Sequence, residues 1–269
     1  MSAVAESIEL ELTPTLRYLL RWADTALIHA QRLAEWCGHG PVLEEDIALT
    51  NLALDLIGQS RALLTHAAAL EGQGFDEDQL AFLRDEGQFL NLTLAEQPLR
   101  KASAHAPGGD FADTVVRNFL LATWFKLGWS GLLGSSDAEL AAIAGKAVKE
   151  ARYHQQHAAD WVLRLGDGTD ESHRRMQAAL QRAWPFTAEM FVRDGVDEQA
   201  ESSGLGPARD RLRPAWQTEV AALLAEATLE QPADSPFVST GTQGVHSEHM
   251  GFILAEMQSL QRRFPGGRW

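Results

Sequence analysis

Three carboxylate side chains interrupt apolar runs that have the three- and four-residue spacing of helix faces. Asp24 lies one turn before Leu27, Asp55 lies between leucines, and Glu150 opens a short run that ends at His154. An acid on an apolar helix face needs a metal ion, a cation or hydrogen-bond donors, because an unpaired buried charge is very costly. The pattern therefore predicts either a metal site or a set of buried ion pairs.

Di-iron sites in helical bundles have a defined ligand set, with one carboxylate from each of two helices and a Glu-x-x-His pair from each of the other two. The three-residue spacing places both members of a pair on one helix face. Three positions after Asp55 the sequence has Gly58, which has no side chain, and three positions after Glu150 it has Tyr153. His154 follows one position too late, so neither pair is intact.

The helix expected to face Glu150 supplies no carboxylate, since residues 117–126 contain no acid and end in a lysine. A di-iron pair needs about six protein ligands, about four of them carboxylates. We therefore predict that this chain has no catalytic residue and binds no metal or other cofactor. The predicted vestigial site consists of Asp24, Asp55, Gly58, Glu150, Tyr153 and His154.

Asp55 is predicted to be buried and paired with a cation that lies where a metal ion would otherwise bind. The candidate cations are Lys126, Arg117, Lys149 and Arg152. A buried pair of this kind fixes the register of two helices more than it adds stability.

Long helices are predicted to position these residues, and the fold class is all-α. Thr13-Pro14 and Asp137 are good helix starts, and Gly38 and Gly72 are good ends. No stretch alternates like a strand. The predicted helical segments are 14–38, 44–72, 76–96, 110–134, 137–165, 170–191 (bent at Pro185), 214–229 and 245–263, with a loop at 97–109 and a linker at 194–207. We predict one domain, 1–269, with a four-helix bundle core at about 13–165 and additional helices at about 170–263.

Composition excludes several classes of function. A formal charge of −14 argues against nucleic-acid binding, which needs a surplus of Lys and Arg. The single cysteine, Cys37, suits a reducing compartment, and neither a membrane span nor a signal peptide is evident. The sequence therefore predicts a cytoplasmic protein that contacts neither nucleic acid nor membrane.

Five blocks of sequence, which together are specific, resemble the C-subunit family of bacterial phenylacetyl-CoA epoxidases, and the similarity extends from about residue 14 to residue 269. The blocks are QRLAEWCGH at 31–39, LALDLIGQ at 52–59, KEARYH at 149–154, RLGDGT at 164–169 and HSEH at 246–249. The resemblance implies a ferritin-like fold and a structural role in aerobic phenylacetate breakdown. It also implies partners: an A subunit that carries the di-iron centre, and further subunits that include an NADPH-dependent reductase.

Two functions from different classes remain open at this stage. One is a metal-free structural subunit that packs against a catalytic paralogue. The other is a di-iron oxygenase with an atypical site, in which His154 and a water or exogenous carboxylate complete the metal shell. A homodimer of the isolated chain is also expected to be possible, because a face that meets a related bundle can meet its own copy.

Overall fold

The computed structural model describes residues 6–99 and 110–267, and within these ranges its regular elements are all helices. The predicted all-α class is confirmed, and the only β contacts here are two isolated bridges. The α-helices are α1 (Pro14–Ala34), α2 (Leu43–Glu71), α3 (Glu77–Phe82), α4 (Thr93–Glu96), α5 (Phe111–Leu132), α6 (Ala138–Gly166), α7 (Asp170–Ala183), α8 (Gly195–Ser203), α9 (Arg213–Glu226), α10 (Glu248–Met257) and α11 (Ser259–Arg263).

The four long helices α1, α2, α5 and α6 form the core of the bundle, in which α1 packs on α2 and α5 packs on α6. Their ends follow from local chemistry. The Thr13 hydroxyl accepts the Leu16 N–H at 3.2 Å, and the Asp137 carboxylate accepts two N–H groups at the start of α6. Gly72 ends α2 with a φ of +79°, a left-handed conformation that glycine adopts without strain.

The segment 76–96 is not one helix, so the prediction of a continuous helical stretch there is wrong. α3 and α4 lie near its two ends, a 3₁₀ turn (Glu86–Gln88) lies between them, and residues 89–92 form a buried extended segment. Its N–H groups bond to side chains from distant elements: Leu90 N–H donates to the Asp24 carboxylate, and Leu92 N–H donates to the Thr25 hydroxyl. These tertiary bonds replace the helical ladder and satisfy the buried backbone.

The C-terminal third departs from prediction at three places. α7 ends at Ala183, before Pro185, and two 3₁₀ turns follow it. Residues 194–207 are not only a linker, because Asp194 caps α8 with a complete capping box. The last predicted helix is two helices, α10 and α11. Most of the predicted loop at 97–109 lies outside the described residues.

A group of stacked tryptophans fills the centre of the bundle. The rings of Trp22 and Trp124 stack with centroids 4.2 Å apart, and Trp129 lies 5.6 Å from Trp22. Gly128 makes room for this group, since a Cβ at that position would lie 2.0 Å from the Trp22 ring. Among the described residues, no helix is both long and apolar enough to cross a membrane.

Candidate functional site

The interior of the four-helix bundle contains a small group of polar side chains, here called the polar cluster: His29, Asp55, Asn118 and His154. They come from α1, α2, α5 and α6 respectively, one from each core helix. Three of them line a void of about 10 Å³ together with leucine, alanine and phenylalanine side chains, and Asp55 reaches the cluster through His154. A void of this size has room for about one water molecule.

Asp55 bonds directly to His154, with 3.0 Å between Oδ2 and Nε2. The histidine is buried, whereas the Asp55 side chain remains 40% exposed. Burial lowers the pKa of His154, an effect that the Asp55 carboxylate only partly offsets. The imidazole is therefore neutral near pH 7, and its Nε2–H donates to the carboxylate.

The prediction that Asp55 is paired is correct, but its burial is only partial and the predicted cations are wrong. Lys126 instead forms an ion pair with Glu219 on α9. Arg117 donates to the Gln97 carbonyl, and Lys149 and Arg152 are exposed. A histidine on the facing helix, His154, pairs with Asp55 instead, and its neutral imidazole donates a hydrogen bond without supplying a charge.

Glu150 lies one turn from the Asp55–His154 pair. Its carboxylate is half-buried and accepts a hydrogen bond from Gln59 Nε2 at 3.0 Å. Gly58 and Tyr153, the two positions where a metal site would need histidine, are both exposed. A Cβ at Gly58 would meet nothing within 4 Å, so a side chain there would project into open space.

Asp24 does not join this group. It is fully buried and forms an ion pair with the equally buried Arg84 that uses both carboxylate oxygens. It also accepts the Leu90 N–H at 2.9 Å. Asp24 therefore fixes the extended segment against α1. The residue that α1 contributes to the polar cluster is His29.

Four polar pairs join α2 to the antiparallel α6 along their length, and we call this row the α2–α6 seam. Two of them are Asp55–His154 and Gln59–Glu150. The others are His157–Glu45 at 2.9 Å and His66–Asp137 at 2.7 Å. Three of the four pairs join a histidine to a carboxylate, and each fixes the register of the two helices.

His29 and Asn118 do not stand out in the sequence, because neither is an acid or a member of a Glu-x-x-His pair. His29 Nδ1 and Asn118 Oδ1 are buried without a hydrogen-bond partner in the part of the chain that the structure describes. Burial, together with the nearby Arg117 and His154, lowers the pKa of His29 well below its ordinary value. The pattern that points to them is one polar residue on the buried face of each core helix, at the same level along the bundle as the Asp55–His154 pair.

The ligand chemistry of the polar cluster does not fit a di-iron pair. Across residues 6–99 and 110–267, no three His, Cys, Asp or Glu side chains form a group that could hold a metal ion. The carboxylate and imidazole that lie closest together bond to each other, and the void beside them is too small for an organic substrate. What the arrangement does is to join α2 to α6 through the Asp55–His154 hydrogen bond, while His29 of α1 and Asn118 of α5 line the same void as His154.

These features define a class of protein: an all-helical bundle with histidine, amide and carboxylate groups between its core helices. Among the described residues, these groups do not form a metal-ligand set. A family model described as "Phenylacetic acid catabolic protein" matches residues 1–269, and the chain belongs to this family. The chain is also 48% identical over 252 residues to the C subunit of the 1,2-phenylacetyl-CoA epoxidase of Escherichia coli (strain K12). That match covers 94% of this chain and 98% of the relative, and it confirms the resemblance found in the five blocks.

Proposed function

We propose that this chain is a structural subunit of a 1,2-phenylacetyl-CoA epoxidase that works in the cytoplasm in phenylacetate breakdown. It binds no metal itself and packs against the subunit that carries the di-iron centre. Electrons reach that centre from a separate reductase subunit and not through this chain.

The observation that carries the proposal is the direct Asp55–His154 hydrogen bond beside a void of about 10 Å³. In a di-iron bundle, the carboxylates and histidines at the centre would point their lone pairs at metal ions. Here the nearest carboxylate and imidazole use those atoms on each other, and Glu150 uses one oxygen on Gln59. The name of the E. coli relative, a subunit of a multi-subunit enzyme, agrees with a role inside an assembly.

Metal analysis of the full-length chain tests the metal-free part of the proposal. The chain is expressed with iron, purified alone, and compared with Asp55→Ala, Glu150→Ala and the exposed-site control Glu171→Ala. We expect substoichiometric iron that is the same in all four proteins. Near-stoichiometric paired iron that disappears only in the Asp55 and Glu150 variants would overturn the proposal.

Co-expression with the di-iron subunit tests the structural part. We expect a stable complex in which epoxidation activity is unchanged by Glu150→Ala in this chain, since no step of the reaction uses that carboxylate. A complex that forms normally but loses turnover with this variant would assign a catalytic role to the chain.

A second candidate function is a di-iron oxygenase with an atypical ligand set. It is favoured by the fact that Asp55 and Glu150 are only partly buried and lie one turn apart on the same seam, where a ligand from solvent could reach them. It requires iron-dependent oxygen consumption by the isolated chain. Oxygen consumption that is absent, or unchanged by Asp55→Ala, removes this candidate.

A further inference from the structure

A separate pocket of about 340 Å³ lies between α4, α5 and α7, and we call it the Arg117 pocket. Its walls are mostly apolar, and their polar part includes Arg117 and the ion pair of Asp113 with Arg182. The apolar lining includes Leu94, Leu99, Phe186 and Ala183. Arg117 precedes Asn118 of the polar cluster, but consecutive helical residues point about 100° apart, so the two side chains serve different sites.

Arg117 is unusual because it is a buried cation whose charge no carboxylate of the described residues neutralises directly. The side chain is only 2% exposed. Its Nη1 donates to the Gln97 carbonyl at 2.7 Å, while Nε and Nη2 are buried and have no hydrogen-bond partner within residues 6–99 and 110–267. A buried guanidinium left in this state is costly, and such a group in a native protein calls for an explanation. Burial and the neighbouring Arg32 lower its pKa to about 9.

The two carboxylates that most influence Arg117 are both bonded to other arginines. Glu35 pairs with Arg32 at 2.7 Å, and Asp113 pairs with Arg182 at 2.5 Å. Among the described residues of this region, three arginines therefore face two carboxylates. This local excess of positive charge stands out in a chain whose formal charge is −14.

We propose that the Arg117 pocket binds a small organic carboxylate with an apolar body. The carboxylate supplies the acceptor that Arg117 Nε and Nη2 lack, and charge-assisted bonds of this kind are among the strongest in proteins. Because both nitrogens are themselves buried, the guanidinium, which lines the pocket, turns toward the ligand when the ligand binds. The apolar body packs against Leu94, Leu99 and Phe186, which a simple inorganic anion would leave uncovered. The pocket is thereby a ligand site separate from the polar cluster and independent of any metal.

Calorimetric titration of the full-length chain with phenylacetate, the neutral analogue phenylacetamide and inorganic phosphate tests the proposal. We expect phenylacetate to bind about ten- to a hundredfold more tightly than the amide, because hydrogen bonds to a charged group contribute about 1.5–3 kcal/mol. Phosphate is expected to bind more weakly than phenylacetate, since it has no apolar body. Equal affinity for phenylacetate and amide, equal affinity for phosphate, or no phenylacetate binding at millimolar concentration would each overturn the proposal.

Two variants locate the site. Arg117→Gln removes the charge, and Ala183→Phe fills the apolar wall at a half-exposed position while leaving Arg117 in place. Each is expected to lower phenylacetate affinity about tenfold or more, whereas the control Ala222→Phe on the exposed face of α9 leaves it unchanged. If Arg117→Gln fails to fold, Ala183→Phe decides alone, and full retention of affinity in a folded Ala183→Phe protein would show that the ligand binds elsewhere.

Discussion

Removal of Arg84 should destabilise the chain far more than removal of an exposed arginine that also pairs with a carboxylate. Arg84 is fully buried and makes four hydrogen bonds, two of them to Asp24 and two to backbone carbonyls. In Arg84→Met, Asp24 keeps only the Leu90 N–H as a partner among the described residues. Breaking a buried ion pair by removing one partner costs about 3–5 kcal/mol, which corresponds to a fall in Tm of roughly 10 °C for a chain of this size.

Urea unfolding of the purified full-length chain, followed by circular dichroism, measures this effect. The matched control is Arg61→Met, which removes an arginine 74% exposed from its pair with Glu77 and should cost at most about 1 kcal/mol. The double variant Asp24→Leu/Arg84→Met removes both charges and should recover much of the loss. Equal costs for the two single arginine variants, or no recovery in the double variant, would refute the argument that the buried pair fixes the extended segment.

Two further predictions concern the buried His246–Glu96 pair and the packing of α5. His246 donates from both ring nitrogens, to the Glu96 carboxylate at 2.7 Å and to a backbone carbonyl at 2.9 Å. Burial alone would lower its pKa, but Glu96, the Phe89 carbonyl and Glu86 together outweigh burial and raise the pKa above its ordinary value. The stabilisation is thus fully present below the unfolded pKa of about 6.5 and disappears as pH rises through the raised folded pKa. The difference in unfolding free energy between wild type and His246→Gln should therefore shrink with increasing pH. A difference that grows with pH would contradict this prediction. Gly128→Ala should destabilise the chain by more than about 1 kcal/mol in thermal melts, because the added methyl group meets the Trp22 ring. Gly145→Ala, which has open space around it, should stabilise α6 by about 0.5–1 kcal/mol. Similar shifts in Tm for both variants would rule out the packing argument.

The helices that the sequence predicts well are those whose ends are decided locally. Thr13, Asp137 and Gly72 cap or end their helices through bonds and backbone angles within a few residues, which leave a recognisable pattern in the sequence. The break in the predicted helix at 76–96 has no local pattern, because the extended residues Leu90 and Leu92 bond to Asp24 and Thr25, more than sixty residues earlier in the chain. Such long-range bonds leave no local pattern.

The polar cluster was half predictable for a similar reason. Asp55 and His154 stand out in the sequence, because acids are rare on apolar helix faces and His154 follows Glu150 at nearly the spacing of a metal-ligand pair. Their direct bond was not foreseen, because which of several cations reaches Asp55 depends on the rotation of α6 about its axis. His29 and Asn118 are ordinary residue types on long helices, and only the assembled bundle shows that they meet.

The stacked tryptophans at the centre of the bundle give the molecule an optical signature. Indole rings that stack with centroids 4.2 Å apart and planes 17° apart, as those of Trp22 and Trp124 do, couple their electronic transitions, and Trp129 is close enough to exchange excitation with them. Coupled transitions of this kind produce a paired band in far-ultraviolet circular dichroism whose amplitude falls steeply as the rings separate. Trp22 belongs to α1 and Trp124 to α5. The amplitude of the paired band therefore reports the distance between the two helix pairs of the core, without any added label.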